Sequence, residues 1–211
     1  MAKSSKPDWS AARRHLARSH PAMKKIVARV GPCKIGSHSP REYFSYLCRA
    51  IFGQQVSTHV ANITFERFTN LFPRKQISPT KTIELIGPGA DESKLVGVGL
   101  SRQKRAYLLD LARHFERGEI PVKRFAKMTD DEIVEALTKV KGIGRWTAEM
   151  FLIFVLNRPD LWPVDDLGLR EAVKRLHKMT DRPTAKECIA HGDCFRPYRS
   201  IATWYLWRSL A

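Results

Sequence analysis

The residues able to do chemistry gather in one short stretch. Val140-Lys141-Gly142-Ile143-Gly144-Arg145-Trp146-Thr147 sets two glycines around a single apolar residue, and the acidic pair Asp165-Asp166 follows, with Asp166 lying 22 positions after Gly144. Glycine has no Cβ, so a Gly-x-Gly between two helical patterns lets the chain turn sharply and bares the N–H groups that open the next helix. Such amides hold a phosphate. Lys141 and Arg145 flank the turn and would add charge to the same contact. The carboxylate of Asp166, at the head of a helix beginning near Leu167, is kept ionised by the positive end of that helix. It could stabilise a developing positive charge or activate water. Each piece alone has a plainer reading: a Gly-x-Gly is commonly just a turn, and an Asp pair ahead of an apolar-periodic run is commonly a helix cap. Within the pair, Asp165 is the expected cap or loop anchor.

The elements that must position these groups are helices. Ser39-Pro40-Arg41-Glu42, Thr129-Asp130-Asp131-Glu132 and Thr184-Ala185-Lys186-Glu187 all fit the capping box, the first with Pro at the favoured first position. Apolar residues recur at helical spacing through Tyr43, Phe44, Leu47 and Ile51, through Val60, Ile63 and Phe68, and through Tyr107, Leu108, Leu111 and Phe115. Strand signals are almost absent, so the expected fold class is all-α. The stretch from Arg145 to Asn157 is apolar nearly all round, which predicts a central helix buried on several sides. Breaks are expected at Gly31 to Ser39, Pro73 to Pro79, Gly87 to Gly89 and Arg158 to Val164. Residues 1 to about 7 read as a loose tail.

Composition narrows the partner. The chain has 211 residues with 37 Lys and Arg against 21 Asp and Glu, a formal charge of +16, and 43% hydrophobic content. That is enough apolar residue for one sizeable core or two small helical lobes. The charge excess points to a polyanion. Cys33, Cys48, Cys188 and Cys194 contain no Cys-x-x-Cys and read as free, buried thiols rather than a disulfide framework. Cys188, His191 and Cys194 lie close together but lack a fourth ligand at suitable spacing, so no metal is expected. The first residues have no apolar core of the secretory kind, and the longest apolar run, Met150 to Leu156, is too short to cross a bilayer. A cytoplasmic or nucleoid location in a prokaryote, or a nuclear one in a eukaryote, is the expectation.

Taken together, Val140 to Thr147, the helix that follows and Trp162-Pro163-Val164-Asp165-Asp166-Leu167-Gly168-Leu169 resemble the helix-hairpin-helix, Gly/Pro-rich loop and catalytic aspartate of the base-excision DNA glycosylases. The similarity is greatest to the 3-methyladenine DNA glycosylase II branch in the short form found in yeasts and bacteria. It extends from about Glu42 to Trp207, through Ala50-Ile51-Phe52-Gly53-Gln54-Gln55-Val56-Ser57 and Gly97-Val98-Gly99-Leu100-Ser101. The hairpin-to-aspartate combination is the specific part. The resemblance implies one glycosylase unit over residues 1 to 211, built as two helical lobes around a DNA-binding cleft, without the N-terminal β domain of the longer bacterial form.

It also implies roles. Asp166 would be the catalytic carboxylate beside the sugar C1′. Gln55 would be the wedge at a helix start that fills the space of a flipped-out base; the competing reading is that Gln54 and Gln55 merely begin a surface helix. DNA contacts would come from Gln55, Lys141, Gly142, Gly144, Arg145 and Thr147. Relatives that also cut the DNA backbone carry a lysine after Gly-x-Gly-Arg, whose amine attacks C1′. Here that position is Trp146, so the implied reaction is hydrolysis that leaves an abasic site. Trp146 and Trp207, the latter ten residues after Pro197, would form an electron-rich wall for a cationic base such as 3-methyladenine or 7-methylguanine. Both could instead be ordinary core residues, and Trp204 is expected in the core. The partner implied is double-stranded DNA carrying damaged bases, bound by a monomer with no membrane association. No cofactor is called for, and whether a monovalent cation bridges hairpin carbonyls to phosphate stays open in the sequence.

Two other classes of function fit parts of the chain. A non-catalytic binder of damaged or distorted DNA would keep the hairpin and the charge, and Asp166 argues against it. A regulator with a recognition helix would need a polar helix for the major groove. The one after the hairpin is too apolar.

Overall fold

The computed structural model describes residues 8–210, which contain no strand, so the all-α expectation holds over that range. The suggested tail at residues 1 to 7 lies outside the described residues. The α-helices are α1 (Ser10–Ser19), α2 (Pro21–Val30), α3 (Tyr43–Phe52), α4 (Thr58–Thr69), α5 (Pro79–Ile86), α6 (Arg102–Glu116), α7 (Asp130–Thr138), α8 (Arg145–Phe154), α9 (Leu167–His177), α10 (Ala185–His191) and α11 (Arg199–Arg208). Short 3-10 turns link several of them.

Local chemistry explains where these helices begin. All three capping boxes form: Ser39 with Glu42, Thr129 with Glu132 and Thr184 with Glu187. In the second, the Thr129 N–H donates to Glu132 Oε2 at 2.7 Å and the Glu132 N–H donates to Thr129 Oγ1 at 3.2 Å, so two otherwise orphaned amides satisfy each other's side chains. Ser57, Ser78 and Ser101 cap α4, α5 and α6. The predicted helix from Arg145 to Asn157 is shorter than expected. It stops at Phe154, and Asn157 takes a left-handed φ of +56°, which asparagine tolerates better than most residues.

The chain divides into two compact units: one made of the described residues up to Ser37 together with those from Leu152 on, the other of His38 to Phe151. The division falls inside α8. In the His38–Phe151 unit, Leu47 and Ile51 of α3, Leu108 and Leu111 of α6, and Ile133 and Leu137 of α7 are fully buried. Tyr43 and Phe125 pack on Phe151 with ring centroids 5.3 and 5.9 Å away. α4 is looser, with Phe68 its one buried residue and Val60 exposed. In the other unit, Leu16, Met23, Val27, Leu169, Val173, Ile201 and Tyr205 are buried, and the Tyr205 hydroxyl donates to the Gly31 carbonyl at 2.7 Å. Trp162, from the motif preceding Asp166, is buried and donates its indole N–H to the Cys188 carbonyl at 2.8 Å. It lies so close to Gly192 that a Cβ there would come within 2.8 Å of the ring.

The cysteines are free, as read from the sequence, but not uniformly buried. Cys48 and Cys188 are inside, Cys33 is half-buried and Cys194 is exposed. Trp204 is in the core, as expected.

Candidate active site

The hairpin is built as the glycines suggested. Gly142 has φ +84°, in the left-handed region that favours glycine, and a Cβ there would run into the Tyr107 ring of α6. The Ile143 N–H donates back to the Val140 carbonyl at 3.1 Å, closing the turn, and Ile143 itself is buried. One amide of the stretch is already used. The Lys141 N–H donates to Asp110 Oδ2 at 2.8 Å, so it does not face a ligand. The N–H groups of Gly144 and Arg145 lie at the mouth of α8, where helix amides lack intrahelical partners and are able to receive an anion.

The side chains around the turn differ in use. Lys141 is exposed. Arg145 is exposed as well, but its Nε lies 3.0 Å from Glu149 Oε1 one turn on, and Glu149 is buried, so part of the Arg145 charge is offset within α8. Thr147 is buried at 7% exposure, which places its hydroxyl inside the unit rather than on the expected contact surface. Trp146 is 50% exposed. Core packing therefore does not describe it, and a large aromatic ring stands in the first turn of α8 beside the glycine hairpin.

Gln55 departs from the expected helix start. Ser57 is the cap of α4, accepting from the Val60 N–H at 3.3 Å, and Gln55 sits two residues earlier in an exposed turn with φ +57°. A left-handed glutamine costs of order 1 kcal/mol or more and is held only when its surroundings demand it. Neighbouring contacts supply that demand: Gln54 Nε2 donates to the Gly142 carbonyl at 2.7 Å, and Lys104 Nζ of α6 donates to the Phe52 carbonyl at 2.7 Å. No periodicity or motif singled out Lys104 or Asp110, because both act across long stretches of chain.

In the other unit the cap assignment is corrected. Asp166, not Asp165, is the N-cap of α9, because its side chain is the one within reach of the helix amides: Oδ1 accepts from the Leu169 N–H at 2.5 Å. The same oxygen accepts from the Trp207 indole N–H at 2.8 Å. Asp165 is exposed. Trp207 is half-buried and stacks on Phe154 with centroids 5.8 Å apart and planes 20° from parallel. Gly168 permits this close approach, since a Cβ there would meet Asp166 Oδ1 at 3.1 Å and Trp207 Nε1 at 3.3 Å. Trp207 also lines a cavity of about 290 Å³ with Phe154, Trp204 and Arg208, and Arg208 is stacked over Trp204 with its guanidinium carbon 5.4 Å from the ring centre. A permanent cation suits that cavity poorly to a positively charged base. Asp166 thus combines the two roles the sequence held apart, helix cap and anchored carboxylate. The His38–Phe151 unit thus carries a glycine turn at the head of α8, the exposed Trp146 ring and Gln55 in a left-handed turn, and the other unit carries Asp166 held by the Leu169 and Trp207 N–H groups.

Proteins of known name resemble the chain over most of its length. The chain is 34% identical over 197 residues to DNA-3-methyladenine glycosylase 1 of Schizosaccharomyces pombe, covering 92% of this chain and 85% of that protein. It is 32% identical over 177 residues to the putative DNA-3-methyladenine glycosylase YfjP of Bacillus subtilis, covering 80% of this chain and 60% of the relative. Among solved structures, the S. pombe 3-methyladenine DNA glycosylase in complex with abasic DNA superposes with a TM-score of 0.81 at 33% identity, over 95% of this chain and 96% of that one. The profile of the HhH-GPD superfamily of base excision DNA repair proteins matches residues 48–197. On the hairpin, the anchored aspartate and these likenesses together, the chain belongs to the HhH-GPD superfamily of base excision DNA repair proteins.

Proposed function

We propose that this protein is a monofunctional DNA glycosylase that flips alkylated purines of the 3-methyladenine and 7-methylguanine type out of double-stranded DNA and hydrolyses their N-glycosidic bond. The observation that carries this reading is Asp166 Oδ1 held by the Leu169 amide and the Trp207 indole at the head of α9. Breaking the bond between base and deoxyribose leaves positive charge on the sugar, and an ionised carboxylate with fixed orientation lowers that barrier without reorganising during the reaction. A base already carrying positive charge departs without a general acid. The Leu169 amide and the Trp207 indole set the direction of the carboxylate.

The His38–Phe151 unit supplies recognition. The amides of Gly144 and Arg145 take a backbone phosphate, with Lys141 adding charge, and Gln55 enters the stack where the flipped base was. Trp146 offers an exposed face to the cationic base. With tryptophan in place of an amine after Arg145, no Schiff base forms at that position and the strand is left uncut.

The test is direct. Purified protein given methylated duplex should release free methylated purine and leave sites that become nicks only after alkali. Binding without base release would instead favour the damaged-DNA binder. Trp146→Ala in the same assay should slow release of 7-methylguanine by about ten- to a hundredfold, the scale of one lost stacking and cation–π contact. Its affinity for duplex with an abasic site, which has no base to stack, should change by less than about threefold. Equal losses in both would remove Trp146 from the base pocket.

A further inference from the structure

Three hydrogen bonds within the His38–Phe151 unit join the glutamine turn to the glycine hairpin. Lys104, Tyr107 and Asp110 recur every three residues and share one face of α6. Lys104 Nζ donates to the carbonyl of Phe52, the last residue of α3, where helix carbonyls lack intrahelical partners and a cation is favoured. Tyr107 lies under Gly142, and Asp110 accepts from the Lys141 N–H. α6 therefore holds both turns. Gln54 closes the ring directly, reaching across 88 positions to the Gly142 carbonyl.

That carbonyl belongs to the same peptide plane as the Ile143 N–H. Gln54 grips the plane at its oxygen while the Val140 carbonyl grips it at its nitrogen, so rotating the plane would break both bonds. The orientation of this peptide fixes where the next amides, those of Gly144 and Arg145, point. On its other side Gln54 is the immediate neighbour of Gln55, and its own N–H is tied to the Ile51 carbonyl at 3.3 Å. Gln54 is half-buried, so its bond is partly shielded from competing water.

We propose that Gln54 is a positioning residue that couples the Gln55 wedge to the phosphate grip, so that the DNA backbone held at the hairpin and the residue inserted into the stack keep one register. This rests on the glycosylase reading above. The two side chains then divide the work, Gln55 touching DNA and Gln54 setting where it stands.

A double-mutant cycle tests the coupling. Gln54→Glu keeps the shape of the side chain but replaces the donor with an oxygen facing a carbonyl. It should slow single-turnover excision of 7-methylguanine about tenfold, with affinity for undamaged duplex within about threefold of wild type because many other phosphate contacts remain. Gln55→Ala should slow excision as well. If Gln54 acts through Gln55, adding Gln54→Glu to Gln55→Ala should cost less than about threefold more. A multiplicative loss in the double variant would overturn the proposal. Should the glutamate variant fail to fold, Gln54→Met, of similar length and without polar atoms, carries the same cycle. Fluorescence of 2-aminopurine beside the lesion reads insertion without excision. A wild-type protein that inserts but releases no base would overturn the glycosylase reading and leave the coupling to stand or fall on the fluorescence cycle.

Discussion

Asp166→Asn is expected to reduce release of 7-methylguanine by on the order of a thousandfold or more, the scale of removing a preorganised charge from a developing ionic centre. Asparagine is as good an N-cap as aspartate, and its amide oxygen can accept from both the Leu169 N–H and the Trp207 indole N–H, the two donors that Asp166 Oδ1 accepts from now. The helix start and the contact to α11 survive while the negative charge is lost. Thermal unfolding within a few degrees of wild type, together with the collapse in excision, is the expected pair of results. A variant that still excises at a tenth of the wild-type rate would assign Asp166 to capping alone.

Trp207→Phe is expected to lower kcat by about ten- to a hundredfold while KM moves by less than about threefold, because a hydrogen bond to a charged partner contributes about 1.5–3 kcal/mol. Phenylalanine retains a ring against Phe154, where Trp207 now stacks at 5.8 Å, but has no N–H for Asp166. The carboxylate then keeps only its Leu169 donor from the pair. Its direction relaxes, and a misplaced charge stabilises the sugar less well. The alternative is that Trp207 serves as a stacking wall for the base. In that case the phenylalanine ring would preserve kcat and the loss would appear in KM, so steady-state kinetics on a methylated duplex separate the two roles. The cation already stacked over Trp204 in the cavity beside Trp207 favours the first.

Much of this molecule could be read locally. The three capping boxes and the sharp turn at Gly142 depend on residues close in the chain and appear as expected, and the apolar spacing holds in α3 and α6, whereas in α4 it leaves Val60 exposed. Errors fell where a local pattern left two answers. Asp165 and Asp166 are equal as candidates for a cap, and the register of α9 chose Asp166. The family resemblance puts Gln55 at a helix start; the structure caps α4 with Ser57 and leaves Gln55 in a turn. Thr147 sits on the hairpin in sequence, but its angular position on α8 turns it inward, whereas Trp146, one residue earlier and about 100° around the helix, faces out.

The sequence by itself determined the class of fold, the basic charge, the sharp turn between α7 and α8 and the presence of a carboxylate at a helix head, because each depends on composition or on neighbours in the chain. Tertiary structure alone decided what holds the chemical groups in place. Trp207 meets Asp166 from 41 positions away, Asp110 meets Lys141 from 31, and Gln54 meets Gly142 from 88. Such bonds are short-range in space and long-range in sequence. A hydrogen bond is made or lost over a few tenths of an ångström and a few tens of degrees, a precision that residue spacing along the chain does not carry and that appears only once packed helices bring distant side chains to within about 3 Å.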